Sequence, residues 1–254
     1  MEETKMPGEG KQPDGPYFAP QNADDLSSHL LRQAMGYLAL LLPGLLYVVA
    51  GWRSRDGVPG WKPLDSVSEY YYSGAVAILT GVLWAVAAFL FTYRGYDNPR
   101  RRWDVCTGRL ASAGALGVAM FPTAALWPFA RLPWWADWMR VVHYGSAILL
   151  FGCLIFYSLV LFPMSAGPKG SEDPDKKTRN IIYRVCGYGM VGAMVWVLAA
   201  GLAHGSIFIP ESIALVLFGV SWLTKGRAWW TLSEATTRLK RRLGGASLGP
   251  PIGT

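Results

Sequence analysis

Charge is scarce in this chain. Only 16% of its 254 residues are Asp, Glu, Lys or Arg, against about 25% in a typical soluble domain. Histidine and cysteine occur three times each. Cys106, Cys153 and Cys186 form no CxxC pair and fall in or beside apolar runs, which excludes a disulfide framework and leaves apolar packing as their role. There is no Walker A loop, dinucleotide fingerprint, HExxH or GxSxG, so the commonest phosphate-, nucleotide- and hydrolase-type signatures are excluded. No apolar run carries a lysine in its middle, which argues against a retinal Schiff base. No histidine pair is placed to ligate stacked haems across two helices.

What the chain has instead is hydrophobic residues, 52% of the total, with 12 Trp, 12 Tyr and 10 Phe. They sit in blocks close to the ~20 residues a helix needs to cross ~30 Å of hydrocarbon. Six spans are predicted: Gln33 to Trp52, Tyr71 to Tyr93, Cys106 to Trp127, Val141 to Phe162, Ile182 to Ala203 and Ile207 to Thr224. The expected fold class is therefore all-α, a polytopic membrane helix bundle occupying residues 30–226. Residues 1–29, polar, rich in Pro and Gly and lacking the apolar core of a cleaved signal, are expected to be a disordered tail. Residues 227–243 mix Trp229, Trp230, Leu232, Leu239 and Leu243 with Arg238, Lys240, Arg241 and Arg242, the pattern of an interfacial basic amphipathic helix. Residues 244–254 form a second polar tail.

Basic residues near helix ends stay on the cytoplasmic side. The two tails and the second and fourth loops, with the span ends beside them, hold 19 of the 24 Lys and Arg. Both termini are thus expected to be cytoplasmic. The net charge of +7 invites a nucleic-acid reading, but clusters such as "RGYDNPRRRWD" sit where topology determinants sit, against anionic headgroups. No nucleic-acid partner is expected; membrane lipids are.

With this orientation several polar residues fall at one depth near the outer ends of the helices. Glu69 and Tyr72 open the second span, and Thr123 lies near the outer end of the third. His143 and Ser146 lie in the fourth, His204 closes the fifth, and Glu211 opens the sixth. Ionisable groups in or beside hydrocarbon are costly, which marks them as functional candidates. Each has a structural reading as well. Ser66 and Glu69 have the S-x-x-E spacing of a capping box. Pro210 and Glu211 suit the first turn of a helix, where a missing N–H costs nothing and a negative charge meets the helix dipole. Tyr70, Tyr71 and Tyr72 turn by about 100° per residue in a helix and cannot all face one pocket. One of the three is expected to point inward, and Tyr71 and Tyr72 form the inward pair only if Glu69 faces the bundle. His143, Ser146, Leu150, Cys153 and Tyr157 recur at spacings of three and four, a continuous stripe that should face the bundle. His143 then either bonds between helices or serves as ligand or base; His204 reads first as a wet loop histidine. Gly114 and Gly117 would let backbones approach closely.

The segments "SVSEYYYSG", "RGYD", "GVAMFPT", "VHYGSA", "YRVCG" and "PESIALVLFGVSWLTKG" together resemble a group of bacterial six-helix membrane proteins that carries no established activity. That resemblance implies a multi-pass protein of the bacterial inner membrane. A looser similarity is to lipid-remodelling membrane proteins and the seven-helix ceramidase and adiponectin-receptor hydrolases, where three histidines hold a zinc that activates water. This chain has two histidines at membrane depth, no intramembrane Asp and six spans. A set of His143, His204 and either Glu69 or Glu211 would still match a His-His-Glu zinc with an open position.

The leading expectation is an outer-leaflet-facing pocket that binds a lipid or amphiphile. Glu69, Tyr72, His143, Ser146 and Glu211 are its main residues. If it is a hydrolase, His143 acts as ligand or base and a carboxylate holds a metal or activates water. The alternatives are a non-catalytic subunit of a larger membrane complex and a transporter. No inverted repeat supports the last of these.

Overall fold

The computed structural model is all-helical and describes residues 23–52, 61–93, 101–125, 129–130, 132–164 and 175–226. The expected amphipathic helix at 227–243, the tail at 244–254 and residues 1–22 of the N-terminal tail lie outside the described residues. Among the described residues six long helices follow one another: α1 (Ala23–Trp52), α2 (Val76–Thr92), α3 (Arg101–Met120), α4 (Asp137–Met164), α5 (Asp175–Leu202) and α6 (Phe208–Lys225). Helix α1 thus starts inside the stretch expected to be a disordered tail. In α4 the residues Tyr157–Leu161 form a single π-helical turn.

Among the described residues four helices are long and apolar enough to cross a membrane: α1 from Leu30, α4, α5 from Lys176, and α6. Helix α2 is apolar but has 17 residues, and α3 carries Arg101, Arg102, Asp104 and Arg109 in its first half. Each helix packs on its neighbours in the chain, and α6 closes the ring onto α1. Two crossings are tight because glycine occupies the contact. The carbonyl of Gly36 lies 2.8 Å from where a Cβ on Gly219 would be, fixing α1 against α6. A Cβ on Gly114 would fall 2.9 Å from the Ser146 carbonyl and the Leu150 amide, fixing α3 against α4. Backbones come this close only where the side chain is small.

The ring has two distinct ends. One gathers Arg32, Tyr93, Asp104, Tyr157, Phe162, Tyr183, Trp222 and Lys225. At the other end two stretches of chain outside the α-helices pack into the bundle. The segment before α2 is a 3-10 turn (Ser68–Tyr72) rather than the start of an α-helix, and it tucks Leu64, Val67, Tyr70 and Ala75 into the core. Helix α3 stops at Met120, earlier than the expected Trp127, because Pro122 disfavours helical geometry at the residue before it. The chain then runs on without regular structure through Thr123.

Candidate functional site

Local chemistry shapes the 3-10 turn. The Ser66 hydroxyl accepts the Glu69 amide at 3.1 Å, and the Glu69 carboxylate accepts the Asp65 amide at 2.9 Å. This is the expected capping box with its return bond placed one residue earlier than usual. The Tyr70 hydroxyl accepts the Leu64 amide at 3.4 Å, closing the loop on itself. Two bonds then tie the loop to α6: the Glu211 carboxylate accepts the Val67 amide at 2.7 Å, and the Ile207 amide donates to the Asp65 carbonyl at 2.7 Å. Burial pushes the Glu69 carboxyl above the usual glutamate range, and the Asp65 charge adds to this against the two main-chain hydrogen bonds.

The end of α3 frees three successive carbonyls, and each finds a side-chain partner. His143 Nδ1 lies 2.7 Å from the Phe121 carbonyl, Trp135 Nε1 donates to Pro122 at 3.0 Å, and the Tyr72 hydroxyl donates to Thr123 at 2.5 Å. Backbone groups outside regular structure must be satisfied somehow, and here three ring systems do it. The Tyr144 hydroxyl lies 3.5 Å from Thr123 Oγ1, and the Tyr72 ring stacks on Phe129 with centroids 6.1 Å apart.

His143 joins both irregular segments. Its Nε2 lies 2.9 Å from the Ser68 hydroxyl. A carbonyl only accepts, so Nδ1 carries the hydrogen of the neutral ring. Nε2 is then the acceptor, and Ser68 donates to it. The tautomer follows from this network of bonds. His143 is buried at 3% exposure, while Ser68 is half-buried. A hydroxyl donating to a histidine that a third group orients is the arrangement that activates a serine nucleophile.

The expected residues are gathered only in part. Glu69, Glu211, His143, Tyr72 and Thr123 all meet around the 3-10 turn and the end of α3. Ser146 does not: its half-buried side chain lies against Gly117 of α3, a packing contact. His204 is exposed in the α5–α6 loop with φ of 52°, a left-handed conformation. The zinc set of His143, His204 and Glu211 is therefore not assembled, and the variant with Glu69 fails for the same reason. Among the described residues no three His, Cys, Asp or Glu side chains converge to hold a metal. The tyrosines also depart from expectation, since Tyr70 is the deepest at 1% exposure while Tyr71 and Tyr72 are half-buried. The stripe on α4 faces inward as expected, with His143, Leu150, Cys153 and Tyr157 all buried.

Sequence reasoning passed over Ser68. Its only local signal was a second serine beside the capping Ser66, and its partner lies 75 residues away. It also passed over the aromatic cluster at the opposite end. There Trp222 is fully buried among Tyr93, Tyr157, Phe162 and Phe218, with centroids 4.9 to 5.5 Å from its own. Arg32 lies over the Tyr93 ring and Lys225 over Phe162, at 5.7 and 5.1 Å. Both cations also act on the buried carboxylate of Asp104. The Tyr157 hydroxyl donates to the Asp104 carbonyl at 2.7 Å.

No protein-family model, curated protein or solved structure is similar enough to this chain to count as a match.

Proposed function

We propose that all six helices cross a bacterial inner membrane, with the Arg32 end cytoplasmic, and that the Ser68 end receives the polar head of a lipid or other amphiphile. The four long apolar helices support the membrane setting. Helices α2 and α3 pack between α1 and α4 in the same ring and so share its path. The orientation follows the basic residues, since Arg32, Arg101, Arg102, Arg109, Lys176, Lys177, Arg179, Arg184 and Lys225 all lie toward one end.

The observation that carries the functional reading is the Ser68 and His143 pair. Most polar side chains of this layer are spent on main-chain atoms, but the half-buried Ser68 hydroxyl is held by a buried neutral imidazole. With an ester-bearing amphiphile, Ser68 Oγ would attack the acyl carbon as its proton passes to His143 Nε2. The alkoxide leaves with that proton, and water then releases the acyl group by the same route. The Phe121 carbonyl keeps the ring in the required tautomer.

Native mass spectrometry of protein extracted gently from its own membrane tests the binding. A retained amphiphile that is depleted in Ser68→Ala supports the reading; an empty protein, or retention indifferent to that change, contradicts it. A second reading, a subunit of a larger complex, is favoured by α5. Only 22% of its apolar window is buried within the chain, and Tyr188, Val195, Trp196 and Leu202 are exposed on it. Constant co-purification with another polypeptide would support that reading.

A further inference from the structure

We propose that the outward face of the first half of α3 is a binding site for an anionic phospholipid, with the phosphate held by Arg102 and Arg109 and an acyl chain lying along Leu110, Ala113 and Met120. Arg101, Arg102, Val105, Cys106, Arg109 and Leu110 line one open depression on this face.

The periodicity of α3 explains the depression. Thr107, Gly108, Ala111, Ser112, Gly114 and Ala115 are buried, and α3 packs on α2 and α4. Arg102, Cys106, Arg109, Leu110, Ala113 and Met120 are left exposed on the remaining surface. Arg102 and Arg109 are seven residues apart, so they share one side of the helix about 10 Å apart along its axis. Two long guanidinium side chains at that spacing converge on one phosphate, and each can bind it through two N–H groups.

The local field is positive. Arg101 begins the helix, so the partial positive charge of the helix N-terminus adds to the three guanidinium groups. The acidic residue of this stretch, Asp104, is buried on the other side, where Lys225 and Arg32 act on it. The floor between the arginines is apolar, made by Val105 and Cys106, and an exposed apolar track continues toward the middle of the helix. A charged head followed by a hydrocarbon path is the shape of a phospholipid and not of a free anion. Trp103, 61% exposed on the same turn, suits the headgroup boundary. The site needs only that the protein sits in a bilayer and does not depend on the chemistry at Ser68.

The test uses the full-length protein in mild detergent, titrated with phosphatidylglycerol, phosphatidylcholine or inorganic phosphate and read by native mass spectrometry. Phosphatidylglycerol should bind at one site in preference to phosphatidylcholine, and phosphate should fail to displace it. The Arg102→Gln/Arg109→Gln variant should bind phosphatidylglycerol on the order of tenfold more weakly. Lys176→Gln/Lys177→Gln, which removes two exposed charges from the same end of the bundle, should leave binding unchanged. Equal binding of the two lipids overturns the proposal, as does displacement by phosphate. An equal loss in the α5 variant would also overturn it, because the effect would then be diffuse surface charge.

Discussion

At the Ser68 end, Glu69, Glu211, Trp135, Tyr72 and His143 each spend a polar group on the main chain of a non-helical segment. At the Arg32 end, aromatic rings gather around Trp222, whose indole N–H has no hydrogen-bond partner among the described residues. The difference follows from the backbone. Where the chain departs from the helix, freed N–H and C=O groups must be satisfied from side chains, so polar residues collect there. Where helices continue, as α4 does through its π-turn, ring packing supplies the cohesion and one indole donor is left over. Polarity at the Ser68 end is therefore largely structural, and the Ser68 hydroxyl, held by the His143 ring, is the feature on which the proposed function rests.

Single substitutions test that contrast. The largest effect is expected at the aromatic end: Trp222→Ala should cost about 3–5 kcal/mol, because a fully buried large ring leaves a cavity. Thermal unfolding in detergent measures this, and the loss should be independent of pH. A loss that varies with pH would mean that charge, not packing, holds that end together.

His143→Ala should come next, at about 2 kcal/mol, because it strands the Phe121 carbonyl and the Ser68 hydroxyl together. Protease cleavage after native-state incubation should increase within residues 61–75, the segment that His143 pins. Unchanged cleavage would show that Glu211 and the Asp65 carbonyl suffice to hold the turn.

Glu69 gives the contrast its pH dependence. Its folded-state pKa lies above the ordinary glutamate value of about 4.5, chiefly through burial. The folded protein therefore binds the proton more tightly than the unfolded chain. Stability should fall as pH rises from the ordinary value through the raised one, and return on acidification. Glu69→Gln keeps an acceptor for the Asp65 amide and removes the charge. It should raise the neutral-pH melting temperature and reduce the slope of the pH profile; an unchanged profile would place the titrating group elsewhere.

The smallest effect is expected for Tyr72→Phe, about 0.6–1 kcal/mol, since one hydrogen bond to the Thr123 carbonyl is lost while the ring still stacks on Phe129. Double mutation with Trp135→Phe should cost more than the sum of the two single changes, because the rings cap adjacent carbonyls of one irregular segment; strict additivity would show that the two bonds act independently.

Much of the architecture was legible because the signals were local. Apolar runs placed the helices, the S-x-x-E spacing anticipated the capping of the Ser68 turn, and the periodic stripe on α4 correctly turned His143 inward. Gly114 and Gly117 likewise marked the close crossing of α3 and α4. The errors arose where distant packing decides. Tyr70 goes deepest because a 3-10 turn of about 120° per residue replaced the assumed 100°. Ser146 lies against Gly117, and His204 sits on a left-handed loop, so shared depth along the helices did not bring them to one point. Ser68 was invisible because its meaning comes wholly from a histidine on another helix. The Trp222 cluster was passed over because aromatics in a membrane-like sequence look alike until their neighbours are known.

Whether His143 activates Ser68 is decided by peptide mapping after exposure of the full-length protein to a fluorophosphonate, which reacts with serines activated by a histidine base. One modified peptide is expected, carrying the label on Ser68, and none in Ser68→Ala. An unlabelled protein that stays folded in the same detergent would contradict this, making Ser68 and His143 a structural tie alone.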